Sequence, residues 1–244
     1  MLDGARGGAD TALGQLPKLE PCRPLARSDS RERILDAAER LFADQGVAAT
    51  SLREIGQAAQ ANPGSIYFHW KTKAELVRDV FRRRLEPLDA ERVRRLDAAE
   101  RAWAPEPVPL EDVLSALVGP MLWIASGPDR GGPGFVRLLG RTYNEPDRDL
   151  VRMLRRDHGA TLERFRAALA RALPDLPEEQ LSARFHFALG ALAFTLGSDS
   201  SWQLAAGRRR RAVSGQDVLR ELMPFLVAGF AAPSLPDARV RASA

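Results

Sequence analysis

The sequence predicts an all-α protein, and three observations carry that reading. Apolar residues recur at three- and four-residue spacing along most of the chain, and no segment alternates with a strand period. Two S/T-x-x-E capping boxes, Ser51/Glu54 and Thr72/Glu75, stand ahead of apolar runs. With 244 residues and 45% hydrophobic content, the chain can bury one substantial core, or a small and a larger one. Its single cysteine, Cys22, excludes a disulfide framework and suits a reducing cytoplasm, where the protein is expected. No apolar run approaches the roughly 20 residues needed to span a bilayer, so a membrane is not an expected partner. The formal charge of +4 permits a nucleic-acid partner without requiring one.

The elements follow in order. Residues 1–27, rich in Gly, Pro and Ala without periodicity and lacking the basic-then-apolar order of a signal peptide, read as a mobile arm. A first helix over 31–45 carries Ile34, Leu35, Ala38, Leu41 and Phe42 on one stripe and stops at Gly46. A second, 51–59, is opened by the Ser51 cap, with Leu52, Ile55, Ala58 and Ala59 on one face. Asn62 is a good N-cap and Pro63 a good first helical residue, so "NPGSIYFHW" reads as a third helix over 63–70, too short to stand alone. A long fourth helix runs from Thr72 to about Arg101, bent near Pro87. "APEPVP" (104–109) breaks the chain, and helices follow at 110–126, 134–145, 148–173, 177–197 and 215–231. "SGPDRGGPG" and "PDLP" are loops, and Arg208–Arg211 belongs to a solvated basic connector. The expected organisation is a small helical domain over 28–88, a larger one over 89–233 and a flexible tail over 234–244.

Three helices within about forty residues, the last of them short, form a helix-turn-helix whose third helix lies in a DNA major groove. Leu41, Phe42, Leu52, Ile55 and Ile66 make its small core. Gly64 allows close approach to phosphate; Ser65, Tyr67 and His69 supply hydroxyls and an imidazole near the exposed face. The helix starts at Ser51 and Thr72 aim free N–H groups outward, a phosphate-binding device flanked by Lys71 and Lys73. Trp70 reads as core rather than as a DNA contact.

These residues, "RERILDAAERLFADQGVAATSLREI…NPGSIYFHWKTKAEL", resemble the DNA-binding domain of the TetR family of transcriptional repressors over about 28–88. The resemblance implies phosphate contacts from Thr50 or Ser51, Tyr67 and Lys73, and base reading by Asn62, Pro63, Ser65 and Phe68. One departure is Gln60, where the family usually has glycine; a left-handed Gln costs on the order of 1 kcal/mol. Downstream, "GFVRLLGRTYNEP", "LPDLPEEQLSARFHFALGALAFTLG" and "LRELMPFLVAGFAAP" resemble a fatty-acid- or acyl-CoA-responsive branch of the family. Trp123, Phe135, Leu138, Leu139, Phe185, Phe187 and Phe194 are candidate walls of an apolar effector cavity, with Arg141, Arg184 and His186 as candidate headgroup anchors. A multidrug-type effector is the alternative. It calls for cavity acids, of which the helices at 110–145 and 177–197 offer few: Glu111, Asp112, Glu145, Glu178 and Glu179, all near helix ends.

The expected protein is a homodimer on a palindromic double-stranded operator, with helices 177–197 and 215–231 forming a four-helix interface. No cofactor, metal or catalytic activity is expected. His69, His158 and His186 are far apart and outside any metal-ligand spacing, no Gly-rich phosphate loop follows a strand, and no carboxylates pair as acid and base. A helical enzyme and a non-DNA-binding adaptor are the rivals; an adaptor has no reason to keep Tyr67, Lys73 and the capped helix starts.

Overall fold

The computed structural model describes residues 30–126, 132–144, 148–197 and 215–234. The arm with Cys22, the Arg208–Arg211 run, Glu145 and the tail from residue 235 lie outside the described residues. Within them the chain is helical throughout: α1 (Ser30–Gln45), α2 (Leu52–Ala58), α3 (Pro63–His69), α4 (Lys73–Trp103), α5 (Leu110–Ser126), α6 (Gly132–Asn144), α7 (Arg148–Ala172), α8 (Glu178–Gly197) and α9 (Gly215–Ala231).

Helices α1, α2 and α3 close on Phe42, Ile55, Ile66 and Trp70, all buried. The Trp70 indole N–H donates to Asp79 Oδ2 at 2.9 Å, and Arg31 lies over its ring while reaching the same carboxylate. Each short helix ends where its sequence says. Gly46, at φ +88°, donates its N–H to Phe42 O and closes α1. Ser51 and Glu54 form the complete capping box on α2, whereas the Thr72 box is shifted: Thr72 Oγ1 accepts from Glu75 N, but the Glu75 carboxylate takes the N–H of Lys71.

The turn between α2 and α3 keeps its left-handed geometry despite lacking glycine. Gln60 sits at φ +49°, with its N–H bonded to Gln57 O and the N–H of Ala61 bonded to Gly56 O, the paired bonds of a Schellman ending. The side chain is exposed and the strain is local. Gln60→Gly should therefore stabilise the protein by up to ~1 kcal/mol, less the added chain entropy of glycine, and raise the melting temperature by about 2–4 °C. Gln60→Ala, which keeps the Cβ, should not. Equal melting of the Gly and Ala variants would show that the left-handed Cβ costs nothing here.

Helix α4 passes from the small domain into the larger one without a break, Pro87 included. At its reader end, Arg83 and Arg84 both bind Glu39 of α1, which is only 2% exposed. Along its length, α4 is tied to α7 through Arg78–Asp157, Asp89–His158, Asp97–Arg164 and Glu100–Arg171. Helix α5, apolar along Val113, Leu114, Leu117, Val118 and Met121, is the central element and touches α4, α6, α7, α8 and α9. Helix α6 lies on α1: the Phe135 ring meets Phe81 of α4 edge-on, and Arg137 and Arg141 reach Asp44 in the last turn of α1. Cations at a helix C-terminus are favourable, so this contact seats α6 on the end of α1.

Candidate nucleic-acid interface and ligand cavity

The exposed face of α3 is built from its N-terminus. Asn62 Oδ1 accepts the Gly64 N–H at 2.9 Å, which fixes the entry of the helix and leaves the Asn62 amide nitrogen outward. Ile66 is the buried anchor, so Pro63, Gly64, Tyr67 and Phe68 are left in solvent, Tyr67 56% and Phe68 78% exposed. An apolar ring that exposed on a two-turn helix has no folding role. Ser65 is half-buried, and His69 is wedged between the Phe68 and Trp70 rings at 5.1 and 5.3 Å. Lys71 Nζ donates to Tyr67 O, and Lys73 Nζ reaches Ala48 O at 3.3 Å, which brings the start of α4 beside the start of α2. Two helix N-termini and two ammonium groups thus share one edge of the α3 face, an arrangement that attracts phosphate.

Thr50 and Ser51 divide clearly. Thr50 is 1% exposed; its hydroxyl donates to Gly46 O and takes the Gln45 amide, so it is part of the α1–α2 turn and not available to phosphate. Ser51 is exposed, but its hydroxyl donates to Glu54 Oε2 at 2.7 Å. That bond, with the Ser51 backbone N–H, holds the Glu54 carboxyl below the usual carboxylate range. The cap is therefore intact at neutral pH and is lost only as acid titrates Glu54. Arg53, exposed in the first turn of α2 and without an ion pair among the described residues, is a cation that sequence reading passed over. A basic residue one turn inside a capped helix start was the available signal.

In the larger domain, α4, α5, α6, α7 and α8 enclose a cavity of about 390 Å³. Its walls are mainly apolar, with Leu85, Met121, Val136, Leu139, Leu154, Leu162, Phe185 and Leu192 among them. The polar groups come chiefly from α4 and α7. Asp89 Oδ2 meets His158 Nδ1 at 2.8 Å and Asp89 Oδ1 lies 3.4 Å from Arg92, whose Nε donates to Leu117 O. Glu163 pairs with Arg166, and the Thr142 hydroxyl is spent on Leu138 O.

Two family models match this chain: "Bacterial regulatory proteins, tetR family" over residues 34–80, and "Tetracyclin repressor-like, C-terminal domain" over residues 115–229. The chain belongs to the TetR family. Among curated relatives, the HTH-type transcriptional regulator AcrR of Shigella flexneri is 47% identical over 53 residues, 22% of this chain and 25% of AcrR. The HTH-type transcriptional repressor KstR2 of Mycolicibacterium smegmatis is 36% identical over 64 residues, 26% and 31% of the two chains. The matches thus span only about a quarter to a third of these relatives. A TetR-like transcriptional regulator from Rhodococcus sp. RHA1 shares the fold, with a TM-score of 0.52 and 19% identity, over 86% of this chain and all of that one. TetR-family proteins are DNA-binding transcription regulators rather than enzymes.

Against that TetR frame, the expected cavity residues scatter. Leu139 lines the cavity, as does Phe185, while Phe135 and Leu138 are buried outside its lining. The Trp123 side chain lies outside the described residues. Arg141 is not a headgroup anchor: its guanidinium donates to Asp44 O and lies against Gly46, at the reader junction. Arg184 is not one either, because it donates to Phe230 O, Ala232 O and Pro233 O and so caps α9. His186, Phe187 and Phe194 face away from the cavity, on the exposed side of α8. Asp89, Arg92, Arg155, His158, Glu163 and Arg166 take their place in the wall; of these the sequence reading named only His158, and only as a histidine outside any metal-ligand spacing. They sit on helices 4 and 7 among many other charges, and periodicity alone does not tell an inward Asp from an outward one. No helix among the described residues is long and apolar enough to cross a membrane.

Proposed function

We propose that this TetR-family chain is a homodimeric repressor that grips a roughly palindromic operator through α3 and the starts of α2 and α4. An apolar effector in the cavity, such as a long-chain fatty acid or its CoA thioester, releases it. One observation carries the effector reading: a partly open, mainly apolar cavity bounded by α4, the same helix that starts at Lys73. Its volume falls at the lower end of the roughly 300–1,000 Å³ typical of ligand sites. That suits an acyl chain, and the nucleotide of a thioester would have to lie outside. Both cavity carboxylates, Asp89 and Glu163, already hold cationic or imidazole partners, which weighs against a cationic drug. For release, the effector must bind the reader spacing that does not fit the operator better than the one that does.

The test uses a duplex selected by the protein from a random pool. Lys73→Ala and Tyr67→Phe should weaken binding to the selected duplex and to random DNA alike, and Lys73→Ala should lower the log–log salt slope by about one. Substitutions at Asn62 or Ser65 should instead relax sequence preference. Saturated acids of graded length should release the duplex more tightly with each added methylene, by about 0.8 kcal/mol, until the cavity is full. A Lys73→Ala protein with full affinity and salt slope would sink the DNA assignment. Release that ignores chain length would sink the effector assignment and leave the repressor standing.

A further inference from the structure

Two side chains in the cavity wall, His158 and Arg155, keep polar atoms without a protein partner among the described residues. Thr142 is bonded to Leu138 O, Glu163 and Arg166 to each other, and Arg92 to Leu117 O and Asp89. His158, half-buried in the wall, gives Nδ1 to Asp89, and Nε2 has no protein partner among the described residues. Arg155 stands in the wall as well, exposed and without an ion pair among the described residues.

Asp89 accepts, so Nδ1 carries the hydrogen, and the carboxylate fixes the tautomer and ring orientation. With Nδ1 spent on Asp89, Nε2 is the ring nitrogen left for a ligand in a mainly apolar cavity. We propose that this pair is the headgroup site of the cavity and that its ligand is a free carboxylic acid on an apolar chain, not the corresponding ester, thioester or amine. A fatty acid is already a carboxylate at neutral pH, so on binding Nε2 takes one proton from solvent: an N–H bond forms at the ring, and an O–H bond of the solvent acid breaks. The result is an imidazolium held between that carboxylate and Asp89. Counting Arg92, Asp89, the imidazolium and the bound carboxylate, the buried charges sum to zero. An alkylammonium at the same place leaves Arg92 and the ligand with only Asp89 between them, and an unbalanced charge in an apolar site is expensive. An ester brings no charge to hold a proton on Nε2, and its carbonyl oxygen meets a lone pair with a lone pair. Arg155 adds attraction for an anion at the same wall. The inference rests on the effector reading above but concerns binding alone.

The experiment compares decanoic acid, methyl decanoate, decanol, decanoyl-CoA and decylamine by calorimetry on the full chain, with operator release measured in parallel. The acid should bind at least tenfold more tightly than the ester, the thioester and the amine. Labelled His158 should show the ¹⁵N signature of imidazolium with the acid and of the neutral ring with the ester. In His158→Gln the acid should lose its advantage while the ester binds as before; ester binding also reports that this variant is folded. Equal binding of acid and ester to the wild type, a neutral His158 in the acid complex, or an acid preference that survives His158→Gln would each overturn the proposal. Acid binding at His158 without release would instead count against the effector reading and leave this site intact. Release by the ester without acid preference would do the reverse.

Discussion

A Phe187→Asp, Phe225→Asp double variant should be a folded monomer that binds the operator about 10²- to 10⁴-fold more weakly than the wild type. Both rings lie in solvent on the single chain, 68% and 65% exposed, with Phe194 at 64% beside them on α8. Large apolar side chains clustered on two helices are the signature of a partner surface. The glycines on the same helices strengthen the case. A Cβ added at Gly190 of α8 or Gly229 of α9 would meet nothing within 4 Å, so packing within the subunit explains neither. Glycine inside a helix costs about 1 kcal/mol relative to alanine, and close approach of a second copy would justify it. The proposed occupant is therefore the same pair of helices from a second chain, burying well over ~1,000 Å² as a stable dimer requires. The affinity loss follows from uncoupling two readers, which removes the high effective concentration of the second half-site. Sedimentation at micromolar concentration and anisotropy on the operator check the two halves of the prediction. A variant that stays dimeric, or a wild type that sediments as a monomer, would refute the interface. A far-UV spectrum like that of the wild type should accompany the monomer, because neither side chain supports the subunit fold.

Glu39→Ala should destabilise the protein by about 3–5 kcal/mol and lower its melting temperature by roughly 10 °C. Glu39 is an acid inside a helical core stripe. Its Oε2 accepts from Arg83 Nη2 at 2.6 Å and from Arg84 Nε at 3.0 Å, and its Oε1 accepts from Arg84 Nη2 at 3.0 Å. Burial disfavours the charged Arg83 guanidinium, but the hydrogen bonds and charges of Glu39 and Asp36 outweigh it and raise its pKa. Removing the carboxylate takes away the larger share of that compensation at the joint between α1 and α4 and leaves Arg83 with Asp36 and Glu32 alone. Replacing all three members of the cluster by apolar residues, as Glu39→Leu with Arg83→Met and Arg84→Met, should recover much of the loss, since a buried ionic triad contributes little net stability over apolar isosteres. A Glu39→Ala cost below ~1 kcal/mol would mean that water reaches the pair. On the proposed function, loosening α1 from α4 in this variant should also blunt effector release before the protein unfolds.

Local information carries a long way in this chain. The all-helical class, the capping box at Ser51, the Asn62–Pro63 start of α3, the Gly46 stop and the strained turn at Gln60 are each decided within about four residues, by which backbone N–H and C=O groups find partners. The exposed α3 face was legible for the same reason, because on a two-turn helix one buried anchor, Ile66, leaves few ways to turn the rest. Thr50 and Ser51 are neighbours with equal claims in sequence, and Thr50 too is decided locally, its hydroxyl donating to Gly46 O four residues back. Tertiary structure decided what depends on partners far along the chain. Arg141 and Arg184 looked like anchors because each is a cation on an apolar helix. In the fold they are spent on backbone carbonyls, at the end of α1 and at the end of α9. Glu39 waited on arginines some forty-five residues away, and Asp89 on a histidine sixty-nine residues away. A charge gains its role from whichever opposite charge or dipole the packing brings within about 3 Å. Helical periodicity says that a face is buried, but not against what.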